Sequence, residues 1–150
     1  MLCAVIDTNV LVSAALAKHP DASIPSRVVE CAFEGAYTPL FSAAIVAEYS
    51  EVLSRPKFKI DEHKRRLLLD EFIACGVFVD APPTGVTLPD PKDVMFHDVA
   101  VAQRQAGAVI VTGNKKHFPK CPFALSPREF LRLVEENGPY AEGLTPRQSL

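Results

Sequence analysis

"LCAVIDTNVLVSAALA", residues Leu2–Ala17, decides how the chain is to be read. An apolar run from Leu2 to Ile6 stops abruptly at Asp7, Thr8 and Asn9, and apolar residues resume at Val10. The first part is short, partly β-branched and carries no polar residue, so it reads as a strand buried on both faces of a parallel sheet. The second part spaces Val10, Leu11, Ala14 and Ala15 as one face of a helix, with Thr8 or Asn9 as its cap. Asp7 therefore falls at the carboxyl end of a buried strand. A carboxylate there is costly unless something satisfies it. Capping the next helix is one answer; holding a cation is the other.

The rest of the chain repeats the alternation. Helices are expected at Pro25–Gly35, Ser42–Pro56, Asp61–Gly76, Val94–Gly107 and Ser126–Asn137. Strands are expected at Tyr37–Ser42, Val77–Ala81 and Ala108–Asn114, with a last short one within "PFALSP" (Pro122–Pro127). In the helix at Asp61–Gly76, Leu67, Leu68, Phe72 and Ile73 are assigned to the apolar stripe. Strands alternating with helices predict an α/β domain on a mostly parallel sheet. In such sheets ligands gather beyond the carboxyl ends of the strands.

Composition bounds the class. The chain has 150 residues, 48% of them apolar and 23% charged, and a net charge of −2. That suits one ordinary globular domain, expected over residues 1–137, with 138–150 carrying the composition of a flexible tail. The near-neutral balance neither favours nor excludes a nucleic-acid partner. Cys3, Cys31, Cys75 and Cys121 form no C-x-x-C pair, and the first three sit in apolar surroundings as small buried hydrophobes. Neither a signal peptide nor a membrane-length apolar run is visible, which predicts a reduced, cytoplasmic protein without a membrane role.

Several acids fall where the fold would place a site. Asp93 opens the helix before the strand at Ala108–Asn114, Asn114 follows that strand, and Glu48 lies on a mostly apolar helix face. Acids that converge from distant parts of the chain repel one another unless a divalent cation joins them. Mg²⁺ and Mn²⁺ take such oxygen ligands, and an ion there polarises a phosphodiester. Each residue also has a plainer reading: Asp7 as a cap, Glu48 paired with a lysine, Asp90 and Asp93 as turn residues of "DPKD". His97 and His117 read as ordinary surface or core histidines.

Four segments taken together resemble a known family. "VIDTNVLVSA" resembles the opening motif of PIN domains, the small α/β ribonuclease fold of many prokaryotic toxin–antitoxin toxins. "SAAIVAEYSEVLSRPKF" is similar to their second motif, and "DPKDVMFHDVAVA" with "AVIVTGNKKHFP" to the third and fourth. The resemblance runs from about Met1 to Leu133 and implies a three-layer α/β/α fold. It implies Asp7, Glu48 and Asp93 as catalytic and metal-binding carboxylates, with Asn114 in the fourth ligand position, where the four-acid version has an acid. Asn9, Thr112 and Asp90 are supporting residues. It further implies Mg²⁺- or Mn²⁺-dependent cleavage of single-stranded RNA, a homodimer, and a small antitoxin partner. Arg55, Lys57, Lys115 and Lys116 are candidate RNA phosphate contacts. Two other readings stand beside it. A phosphatase of the haloacid-dehalogenase type needs a second acid two residues after the first, where this chain has Asn9. A catalytically weak or inactive PIN-fold module that binds RNA or protein remains the principal alternative.

Overall fold

A computed structural model describes residues 1–137; the expected tail at 138–150 lies outside the described residues. The chain runs β1 (Cys3–Ile6), α1 (Thr8–Leu16), α2 (Ile24–Phe33), β2 (Thr38–Phe41), α3 (Ala43–Leu53), α4 (Glu62–Cys75), β3 (Val77–Phe78), α5 (Val94–Ala102), β4 (Val109–Val111), β5 (Ala124–Leu125) and α6 (Pro127–Glu136). The five strands form one all-parallel sheet in the order β3-β2-β1-β4-β5.

The continuous apolar character of the first strand follows from its place. β1 is central, and Ala4, Val5 and Ile6 are wholly buried between helices on the two faces. The crossovers from β1 to β2 and from β2 to β3 step one way across the sheet, and that from β3 to β4 steps back. Right-handed connections then put α5 on the face opposite α1, α2 and α4, giving the three-layer α/β/α architecture. The direction reverses at β1 and β4, so the crevice between their carboxyl ends is the topological switch point.

Local chemistry sets the element ends. Ser42 caps α3 through the amide of Ile45, and Asp61 caps α4 through that of Lys64, each at 3.2 Å. Ser126 and Glu129 form a capping box on α6. Four expectations are corrected. The helix from Val94 stops at Ala102, and a 3₁₀ turn (Arg104–Ala106) then closes on Gly107 at φ +84°. β3 has two residues rather than five: Val79 still donates to Phe41, but the chain then enters Pro82–Pro83, which have no N–H to continue a ladder. Leu67 is 51% exposed. Phe72 and Leu68 are four apart and share a face, whereas Leu67 stands about 140° round the helix from Phe72. Cys3 and Cys31 are buried as expected, but Cys75 is only half-buried.

One close approach is decisive for the edge of the sheet. A Cβ on Gly76, which ends α4, would stand 2.5 Å from both the Phe41 ring and the Pro39 carbonyl oxygen. Gly76→Ala is therefore expected to destabilise the protein by about 1–3 kcal/mol, the usual range for overpacking. Gly113→Ala, where the added methyl meets nothing within 4 Å, leaves stability nearly unchanged. Urea unfolding of the two variants checks the contrast.

Candidate active site at the sheet's switch point

The crevice between β1 and β4 is walled by polar groups in an otherwise apolar centre. Asp7, 4% exposed, follows β1; Thr112, fully buried, follows β4. The backbone joins them, since the Asp7 amide donates to the Val111 carbonyl at 2.9 Å. The side chains complete a directed chain. The Asn114 amide donates to Thr112 Oγ1 at 3.0 Å, and Thr112 Oγ1 donates to Asp7 Oδ2 at 2.7 Å. Asp7 stands at the cap position of α1 yet makes no side-chain capping bond. Burial pushes its carboxyl above the ordinary range, opposed by the Thr112 hydroxyl.

Asp93 enters from the opposite side, at the start of α5, and is 7% exposed. Its pKa is pushed up to about 6, first by burial and then by the negative charge of Asp7; His117 opposes the rise, while Asp90 and Glu48 add to it. Asp93 Oδ2 is buried without a hydrogen-bond partner. His117 Nδ1 lies 3.1 Å from it, close enough for electrostatic attraction but off the line of a hydrogen bond. Such a buried bare carboxylate oxygen calls for an explanation, an ion among them.

Glu48 is half-exposed on α3 and accepts a 2.6 Å hydrogen bond from Thr8 Oγ1. The next residue, Tyr49, is fully buried and its hydroxyl donates to the Ile6 carbonyl, which pins α3 to the end of β1. Burial raises the Tyr49 hydroxyl far above its usual range, and the charges of Asp7 and Glu48 add to the effect. Asn114 is half-buried and its amide Nδ2 lies 3.0 Å from His117 Nε2.

Asp7, Asp93, Asn114 and Thr112 thus surround one crevice, with Glu48 near enough for its charge to act on Asp93. Among the described residues, no three His, Cys, Asp or Glu side chains form a group able to hold a metal as they stand. The oxygen chemistry suits a hard cation even so. Mg²⁺ keeps several waters and needs only one or two carboxylates, and Asp93 Oδ2 is a buried oxygen without a hydrogen bond.

The supporting residues separate. Asp90 caps the 3₁₀ turn at Pro91–Asp93 through the Lys92 amide at 2.9 Å, the plainer of its two readings. Asn9 is exposed, and only its backbone amide acts on Asp7. Two of the four expected phosphate contacts are engaged in surface ion pairs, Arg55 with Glu51 and Lys115 with Glu129, both at 2.9 Å. Such pairs contribute little and exchange readily. Lys57 lies over the Phe58 ring, and Lys116 is exposed. A groove of about 490 Å³, lined by Ser42, Phe78, Met95 and Asp98 among others, includes none of the four crevice residues and lies beside them. Sequence reasoning missed three contributors: Thr8 and Tyr49, which act through a neighbouring element, and His117. The one signal for His117 was its position three residues after Asn114, within a single tight turn.

An all-parallel α/β sheet with buried acids at its switch point places polar groups where open α/β folds gather their ligands. The comparison with known families makes this specific: a family model described as PIN domain matches residues 3–116, and the chain belongs to that family. Its fold is of nuclease type, and its nucleases generally use divalent metal ions. Neither the curated proteins nor the solved structures give a significant match. No helix among the described residues is long and apolar enough to cross a membrane.

The raised Asp93 pKa has a signed consequence. The folded state holds the Asp93 proton more tightly than the unfolded state, whose pKa is near 3.8. The contribution of Asp93 to stability in ion-free buffer is therefore fully present below that value and is lost as pH rises through about 6. Asp93→Asn is expected to remove this loss and stabilise the ion-free protein at neutral pH by about 2–3 kcal/mol. Thermal melts across pH, with EDTA present, test it.

Proposed function

We propose that this protein is a Mg²⁺- or Mn²⁺-dependent endoribonuclease that cleaves single-stranded RNA, acting as the toxin of a cytoplasmic toxin–antitoxin pair. The observation that carries the reading is the buried, unpartnered Asp93 Oδ2 facing the same crevice as Asp7. Two carboxylates raised by burial, with the charge of Asp7 raising Asp93 further, form a site short of positive charge. Family membership supports the nuclease class. The toxin role, the homodimer and the antitoxin rest on the resemblance of the four motifs.

Asp7, Asp93 and Asn114 would hold the ion, with Glu48 beside them. The bound ion would neutralise charge on the scissile phosphate and activate the attacking water. The chain's own residues do the positioning. Thr112 fixes the rotamer of Asp7 by donating to one of its oxygens, and Thr8 does the same for Glu48. Glu48, half-exposed at the rim, is the acid placed to meet solvent and take up a proton. Lys116 and Lys57, free of ion pairs among the described residues, would contact phosphates further along the strand.

A second reading, an inactive RNA- or protein-binding module, is favoured by the neutral amide at Asn114 and by the lack, among the described residues, of a ready three-residue metal group. Incubation with end-labelled single-stranded RNA and Mn²⁺, with and without EDTA, separates the two. The nuclease reading expects cutting that EDTA abolishes and that Asp7→Asn or Asp93→Asn lowers by about 100-fold or more. Binding without cutting in every condition supports the module instead. Thr112→Val, which removes only the hydroxyl behind Asp7, is expected to lower activity about 10- to 100-fold.

A further inference from the structure

His117 belongs to neither the acid set nor the expected ligands, yet it touches both walls of the crevice. Its Nδ1 lies 3.1 Å from Asp93 Oδ2 and its Nε2 lies 3.0 Å from Asn114 Nδ2. We propose that His117 is a positioning residue that turns the Asn114 amide so that its oxygen, the one atom of that side chain able to ligate a cation, is left for the ion. The inference rests on the metal-centre reading above and explains how an amide serves in a position where the four-acid version of the site has a carboxylate.

The argument runs from charge to tautomer to amide. A neutral imidazole has one N–H and one bare nitrogen. If Nδ1 were bare, two electron-rich atoms would lie 3.1 Å apart, with no proton between His117 and Asp93 to offset the carboxylate charge. The carboxylate charge therefore selects the tautomer with the proton on Nδ1. Nε2 is then an acceptor, and only the NH₂ end of Asn114 can satisfy it. That engagement fixes the amide orientation and commits Oδ1 elsewhere. The short 3₁₀ turn Lys115–His117, whose closing amide donates from His117 to the Asn114 carbonyl at 3.1 Å, sets the two residues at the necessary spacing. The Asn114 backbone is held in turn by Thr112, so the whole side chain is fixed from both ends.

A carboxylate at position 114 would not need this service, because its two oxygens are equivalent as ligands. The test uses that asymmetry. Mn²⁺ affinity is measured by calorimetric titration for the wild type, His117→Ala, Asn114→Asp and the double variant. His117→Ala is expected to weaken Mn²⁺ binding about tenfold in the Asn114 protein and not to weaken it in Asn114→Asp, where a bare Nε2 has no amide to hold. An equal loss in both backgrounds overturns the proposal and makes His117 a general structural support. A second measurement needs no variant: nitrogen NMR of the metal-free wild type in alkaline buffer. A protonated Nδ1 with bare Nε2 is expected; the reverse tautomer sinks the proposal even if the protein binds Mn²⁺. Failure of the wild type to bind Mn²⁺ at all overturns the metal-centre reading itself, an outcome distinct from binding that ignores His117.

Discussion

The 2.7 Å hydrogen bond from Thr112 to Asp7 is the constraint on which the rest of the centre depends. It spans two adjacent central strands and joins residues 105 positions apart. It exists because β1 and β4 are in parallel register, Ile6 beside Val111, so that their next residues emerge together at the carboxyl edge. Burial makes the Asp7 charge expensive, and a hydroxyl whose own acceptor side is filled by the Asn114 amide can offer its proton in only one direction. Backbone register thus becomes side-chain orientation with little freedom left over.

Much of this was legible in the order of residues. A strand buried on both faces must be apolar throughout, so the sudden Asp7 stood out, as did Asn114 after the other central strand. The helices expected from Ser42 and Ser126 begin at those residues, because a cap is a local interaction written in adjacent residues. The α/β class followed from the same alternation, and the PIN-like fold from the resemblance of the four motifs. The failures have physical causes too. Leu67 was misplaced because a run of three leucines satisfies any coarse apolar stripe, and only the angle from Phe72 decides which one faces inward. The helix at Val94 was drawn too long because Gly107 is a good terminator, but the chain tightens into a 3₁₀ turn before reaching it.

The site was legible in its acids and less so in their supports. Asp7 and Asp93 carry signals of their own, a carboxylate at a strand end and one at a helix start. Thr8 and Tyr49 carry none, and His117 only its spacing from Asn114, because what they do is defined by a partner far away in sequence or by a side-chain direction. Tyr49 looked like a core aromatic, and it is one, but its hydroxyl also takes the last carbonyl of β1. Asp90 shows the reverse: the acid-rich neighbourhood made it a candidate, and the Lys92 amide claims it for a turn. Type and proximity in sequence say which groups are available, and only packing says which are free.

The sheet order carries one last implication, for how the molecule comes into being. β4, wedged between β1 and β5, is among the last strands to be made, and it brings Thr112, Asn114 and His117 with it. Until those residues leave the ribosome, Asp7 has no hydroxyl behind it and Asp93 has no imidazole beside it. A growing chain with three strands complete has two acids and no crevice. The crevice is complete only once His117 has been made, so a chain cut short before β4 lacks it.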